Sequence, residues 1–91
     1  MKWLEIIELR SVGNNLKIIE PELKQLIAQV NIKTEEREII IYNRLAVSSD
    51  FSVHLFHDSK DADVNGSPLG LHLVSILKDF GLLNHSVWIE Q

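Results

Sequence analysis

The sequence predicts a small α+β domain with the element order β-α-β-β-α-β. Three observations predict it. Four segments of the chain have the residue pattern of β-strands, two segments repeat apolar residues at helical spacing, and the two kinds follow one another as strand, helix, strand twice over. Ninety-one residues are expected to form a single domain, residues 1–91, because chains divide into several domains only at greater length.

The first half of the chain begins with a strand and a helix. Residues 3–9 carry apolar side chains on both faces, which is typical of a strand in the middle of a sheet. Residues 11–15 include Gly and Asn and predict a turn. Apolar residues then recur at helical spacing over 16–30. Because proline is best accepted at the first helical position, the helix is predicted from Pro21 to about Val30.

A hairpin is predicted in the middle of the chain. Residues 38–44 alternate as a strand, residues 48–50 supply a turn, and residues 51–58 form the partner strand. In the partner strand, His54 and Phe56 share one face because successive side chains point to opposite sides. Residues 59–66 are a polar, acidic loop.

The second helix has clear start and stop signals. Ser67 is the predicted N-cap, Pro68 the first helical residue, and Gly81 follows the end. The free N–H groups at the helix start could also bind an anion, although capping alone explains both residues. Residues 83–90 close the chain as a strand, with Asn84, Ser86 and Trp88 on one face.

Right-handed crossovers arrange these elements as a ferredoxin-like βαββαβ fold, a four-stranded antiparallel sheet with two helices on one face. The opposite face then carries Ile40, Tyr42, His54, Phe56, Ser86 and Trp88. Extended exposed apolar patches usually mark an interface or a ligand site. The sequence therefore predicts a homodimer that packs through its sheet faces.

The composition excludes several classes of function. A net charge of −4 argues against nucleic-acid binding, which depends on Lys and Arg neutralising phosphates. The chain has no cysteine, so disulfides, thiolate metal sites and thiol nucleophiles are excluded. No apolar run is long enough for a membrane span or a signal peptide, and a cytoplasmic location is expected.

His54 and His57 have an H-x-x-H spacing that on a strand directs the two side chains to opposite faces. A shared metal is therefore not predicted. Ordinary, partly buried strand histidines are one interpretation, and a general base or ligand-orienting role for His54 is the other.

Residues 61–66 match the first half of a calcium-binding loop through Asp61, Asp63 and Asn65. The second half of the calcium-loop pattern is not matched, because His72 occupies the position that requires a bidentate Glu. An acidic surface loop with an Asn-Gly turn is the preferred interpretation, and no metal or other cofactor is predicted.

The layout resembles the dimeric α+β-barrel group, which includes antibiotic-biosynthesis-monooxygenase-like proteins and muconolactone isomerases. The segment from Gly66 to Glu90 suggests a small, uncharacterised bacterial family within it. The resemblance implies a substrate pocket on the sheet face, without metal or flavin. At the corresponding positions this sequence has Tyr42, His54, Phe56, Asn84, Ser86 and Trp88.

Three functions are consistent with these features. The first is a homodimeric binding or interaction module. The second is a cofactor-free enzyme, monooxygenase-like or isomerase-like, that acts on a small, partly aromatic molecule with His54 as the catalytic base. The third is an effector-binding domain similar to the ACT type, for which Gly13 in the loop after the first strand is the supporting feature.

Overall fold

Four strands form one antiparallel sheet in the computed structural model of the chain, which describes residues 1–11, 15–33 and 38–91. The elements are β1 (Lys2–Ser11), α1 (Asn15–Lys33), β2 (Glu38–Arg44), β3 (Val47–Asp58), α2 (Pro68–Leu77), a 3₁₀ turn (Lys78–Phe80) and β4 (Gly81–Ile89). The strand order is β2-β3-β1-β4. The two β-α-β halves therefore interleave with β1 and β3 at the centre, which is consistent with the ferredoxin-like arrangement.

One buried cluster joins the two helices to one face of the sheet. Alternate residues of β1 point into it, as the period of two requires. Its members come from β1, α1, β3 and α2: Ile7, Leu9, Ile19, Leu23, Phe51, Val53, Leu55, Leu73 and Leu77. Full burial of each of the larger side chains contributes about 1.5–3 kcal/mol. We call this side of the sheet the covered face and the other side the open face.

The first helix begins earlier than the sequence predicts. It starts at Asn15 rather than Pro21, and Pro21 lies inside it. Proline inside a helix removes one N–H donor and clashes with the carbonyl of the preceding turn. Here Ile19 and Leu23, on either side of Pro21, are both almost fully buried in the core. Burial of this apolar face offsets the local cost of the proline.

The β2–β3 hairpin also turns earlier than predicted. Arg44 pairs with Val47, so Leu45 and Ala46 form the turn, and β3 includes the predicted turn residues 48–50. Ala46 has a positive φ of 66°, which is uncommon for a residue other than glycine. A register shift between Asn43 and Arg44 accompanies the turn.

The start of α2 is as predicted. Ser67 Oγ accepts a hydrogen bond from Gly70 N at 3.0 Å, and Pro68 is the first helical residue. The helix continues into the 3₁₀ turn, and β4 begins at Gly81 rather than Leu83. A Cβ at Gly81 would overlap the backbone of Arg10 on β1, so glycine permits this close pairing.

Most of the predicted turn at 11–15, including Gly13, lies outside the described residues, as do residues 34–37. Residues 31–33, predicted as part of a link between helix and strand, belong to α1. Neither of the described helices has the length and hydropathy of a membrane span.

Candidate functional site

The open face carries all six residues that the sequence predicts as a site. The strand register shows that they share a face, because directly paired residues point to the same side of the sheet. Leu4 on β1 pairs with Phe56 on β3 and with Trp88 on β4. The six residues form two columns that flank β1. One column contains Tyr42, His54 and Phe56 from β2 and β3, and the other contains Asn84, Ser86 and Trp88 from β4.

The first column consists of the three rings of Tyr42, His54 and Phe56, which lie next to one another. The ring centroids of Tyr42 and His54 are 4.6 Å apart in an edge-to-face contact, and those of His54 and Phe56 are 6.3 Å apart. His54 Nε2 lies 3.1 Å from Ser52 Oγ. Burial lowers the pKa of His54 below its ordinary value of 6.5, and the nearby carboxylate of Glu8 opposes this by a smaller amount. The neutral imidazole is therefore favoured.

The second column is more exposed. Trp88 is 58% exposed, and its indole Nε1 donates a hydrogen bond to Ser86 Oγ at 2.9 Å. Asn84 is also exposed. Leu4 and Ile6 of β1 lie between the two columns, because Leu4 pairs with Phe56 and Trp88 and Ile6 pairs with His54 and Ser86.

A groove of about 740 Å³ crosses one half of the open face. Three predicted site residues line it: Tyr42, His54 and Asn84. Phe56, Ser86 and Trp88 are not among its lining residues and belong to the other half of the face. The volume is within the range of small-molecule sites, about 300–1,000 Å³.

Ionic residues at the end of the groove were not predicted as site residues. Arg44 Nη1 lies 3.2 Å from Asp50 Oδ2, and Arg10 Nε lies 4.0 Å from the same oxygen. The predicted first strand ends at residue 9, before Arg10, and the predicted turn at residues 48–50 includes Asp50. The strands in fact extend through both positions, and the register pairs them on the open face.

A second group of interacting polar residues, which was not predicted from the sequence, lies under α2 on the covered face. Glu5 is fully buried. Its carboxylate accepts hydrogen bonds from Ser67 N and from Ser67 Oγ, the latter at 2.8 Å. His57 Nε2 lies 3.3 Å from Oε2, and His85 Nε2 lies 3.8 Å from Oε1. We call these four residues the Glu5 cluster.

The Glu5 cluster explains two features of the α2 segment. The anion that the helix N-terminus could bind is the chain's own Glu5 carboxylate, placed at the positive end of the helix dipole. Gly70 lies so close that an added Cβ would overlap Glu5 Oε2. Gly66, with φ of 94°, passes equally close to His85 and Glu5. The signal was present in the sequence, because alternation puts Glu5 on the same face as Trp3 and Ile7.

The Glu5 cluster is closed to solvent on several sides. Trp3 stacks on His57 with 4.1 Å between ring centroids, and its Nε1 donates to Ser59 Oγ at 2.8 Å. His85 Nε2 is buried and has no hydrogen-bond partner within the described part of the chain. Since Ser67 at the start of α2 donates to the buried carboxylate and Gly66 and Gly70 pack closely on it, the cluster attaches α2 to the sheet.

The acidic loop forms a local turn. Asp63 Oδ1 accepts from Asn65 N at 2.8 Å, and Gly66 N donates to Asp63 O at 2.9 Å. The first bond is that of an Asx turn, and the second is the backbone bond that closes a β-turn. Across residues 1–11, 15–33 and 38–91, no group of three or more His, Asp or Glu side chains is arranged to hold a metal ion.

Comparisons with protein-family models, with curated proteins and with solved structures found no match to this chain.

Proposed function

We propose that this chain is a homodimeric binding module in which two copies pair through their open faces and hold a small molecule in the groove. Such a dimer would resemble the assembly of the dimeric α+β-barrel group. The observation that supports it most is the pair of large side chains, Phe56 and Trp88, on either side of Leu4 on the face that the helices do not cover.

The size of the open face is adequate for a dimer. The β1–β3 ladder contains nine residue pairs, which at about 3.4 Å per residue extend roughly 30 Å, and four strands about 4.8 Å apart are roughly 19 Å wide. The footprint is therefore about 600 Å², and side chains raise its accessible area further. Standard interfaces bury about 600–1,000 Å² per partner, so the area of one open face is at the lower end of this range.

The composition of the face favours a second copy as the occupant. Leu4, Ile6 and Phe56 form an apolar centre that is partly exposed in the single chain. Charged residues lie toward the ends of the strands, with Glu8, Arg10, Arg44 and Asp50 toward one end and the Lys2–Asp58 pair at the other. An apolar centre with a polar rim is the usual anatomy of an interface. A two-fold axis through this centre brings the same apolar side chains together.

Sedimentation velocity over a range of concentrations tests the pairing. We expect a dimer for the natural chain and a monomer for Trp88→Glu, because an unpaired carboxylate buried in an interface is costly. Leu71→Glu is the matched control. Leu71 is 49% exposed on α2, so this variant should remain dimeric. Far-UV circular dichroism then checks that both variants are folded. A natural chain that stays monomeric at micromolar concentration contradicts the proposal.

A second candidate function is a cofactor-free enzyme with His54 as general base, monooxygenase-like or isomerase-like, acting on a small, partly aromatic molecule. The contact between His54 Nε2 and Ser52 Oγ favours it, together with the lowered pKa, because a neutral imidazole accepts a proton from substrate. Mass spectrometry of aromatic acids incubated with the protein tests it. Turnover should be lost in His54→Gln while the dimer persists, and turnover that survives in this variant excludes His54 as the base.

A further inference from the structure

The groove on the open face has an ionic end built from three strands. Arg10 is near the end of β1, Arg44 ends β2, and Asp50 lies on β3 between them in the sheet. Asp50 is largely buried, with 15% of its side chain exposed, whereas the two arginine side chains are 70% and 59% exposed. The carboxylate is therefore fixed in the wall, and the guanidinium groups extend toward solvent.

The two guanidinium groups have more N–H donors than one carboxylate can accept. Each carries five N–H donors, and a carboxylate offers about four lone-pair sites. Arg10 Nε is also 4.0 Å from Asp50 Oδ2, which is beyond hydrogen-bond distance. The group formed by Arg10, Arg44 and Asp50 has a net charge of +1 in a chain whose total is −4. Its unused donors suit a second anionic group.

The rest of the groove restricts what the anionic molecule can be. Tyr42 and His54 present ring surfaces, and Ile6 and Leu82 add apolar walls. Glu8 also lines the groove, so the charges of Arg10, Arg44, Glu8 and Asp50 sum to zero. A polyanion would meet Glu8, whereas a single anionic group at the arginine end would not. Flat, unsaturated bodies suit ring walls of this kind.

We infer that the groove binds a small monoanion with a flat body, a carboxylate of the aryl or unsaturated class, whose anionic group Arg10 and Arg44 hold while Tyr42 and His54 contact its body. Arginine suits this role because its planar donors match a carboxylate in a bidentate manner. The inference rests on the proposed function, since it names the ligand class of the same groove.

Calorimetry and NMR titration at low salt test the inference with phenylacetate as the probe and phenylacetamide as its neutral isostere. We expect the natural chain to bind the carboxylate at least about 10-fold more tightly than the amide, because hydrogen bonds to charged groups are the stronger ones. Arg10→Gln and Arg44→Gln should each weaken phenylacetate binding by about 10-fold. Lys60→Gln, which removes a cation from an exposed loop outside the groove, is the matched control and should bind as the natural chain does.

The outcomes separate this inference from the proposed dimer. Three outcomes would overturn the inference: equal affinity for the two probes, unchanged binding in both arginine variants, or no saturable binding of phenylacetate up to its solubility limit. Sedimentation of the same samples shows separately whether the dimer persists. A monomer that binds phenylacetate through the arginines supports the inference and contradicts only the pairing of open faces.

Discussion

Glu5 and Glu8 lie three residues apart on β1 and have opposite environments. Glu5 faces α2, is fully buried, and receives donors from Ser67 and His57. Glu8 faces away from the helices, is exposed, and lines a groove. Both faces of the sheet carry a carboxylate near a histidine. The covered face finds its partners within the chain, whereas the open face leaves polar and aromatic groups exposed or partly exposed.

Removal of the two carboxylates should therefore have very different effects on stability. Glu5→Ala leaves the Ser67 donors and two histidines buried beside a cavity, and we expect a loss of about 3 kcal/mol in the free energy of unfolding. This is a large part of the roughly 5–14 kcal/mol expected for 91 residues. Glu5→Gln keeps the volume and one acceptor, so the loss should be about 1.5 kcal/mol.

Urea unfolding followed by circular dichroism measures these losses, and Glu8→Gln on the open face is the matched control. Its effect should stay within about 0.5 kcal/mol, as for most surface substitutions. Equal losses in Glu5→Gln and Glu8→Gln would mean that the contrast between the two faces is wrong.

A smaller effect tests the close approach of α2 to the Glu5 cluster. Gly70→Ala places a Cβ against the Glu5 carboxylate and should cost about 1–3 kcal/mol through overpacking, although alanine is the better helix former. Ser75→Ala, at an exposed position of the same helix, should be neutral or slightly stabilising. If Gly70→Ala stabilises the chain as much as Ser75→Ala in the same urea assay, α2 does not sit as tightly on Glu5 as the structure shows.

The smallest expected effect concerns the histidine of the open face. The pKa of His54 is lowered in the folded chain, so between this value and 6.5 the unfolded chain binds more protons. His54 therefore contributes stability that is present above pH 6.5 and is lost as the pH falls through the folded-state pKa. The urea midpoint of His54→Gln should fall less than that of the natural chain between pH 7.5 and 5. A parallel fall in both proteins would contradict this.

The sequence was sufficient for the features that depend on local pattern. Alternation along β3 and β4, with the more apolar side of each strand assigned to the helices, predicted Phe56 and Trp88 on the opposite face. The N-cap signals predicted the start of α2. The start of α1 was predicted wrongly because the rule for Pro21 is local, whereas the burial of Ile19 and Leu23 that outweighs it is tertiary.

Features that depend on which residues of neighbouring strands pair could not be predicted from the sequence. The ionic end of the groove requires Arg10 and Asp50 to be paired across β1 and β3, and no local pattern gives that pairing. The Glu5 cluster likewise joins β1 to Ser67, 62 residues later in the chain. Alternation puts Glu5 on the same face as Trp3 and Ile7, but only the packing of α2 buries its carboxylate and supplies its donors.

The two tryptophans allow the most direct test of the central claim, because one lies on each face. Trp3 is 7% exposed on the covered face, and Trp88 is 58% exposed on the open face. Acrylamide quenching of Trp3→Phe reports on Trp88, and quenching of Trp88→Phe reports on Trp3. If a second copy covers the open face, quenching of Trp88 falls as protein concentration rises, while quenching of Trp3 stays low throughout. Quenching of Trp88 that is strong and independent of concentration would contradict the account.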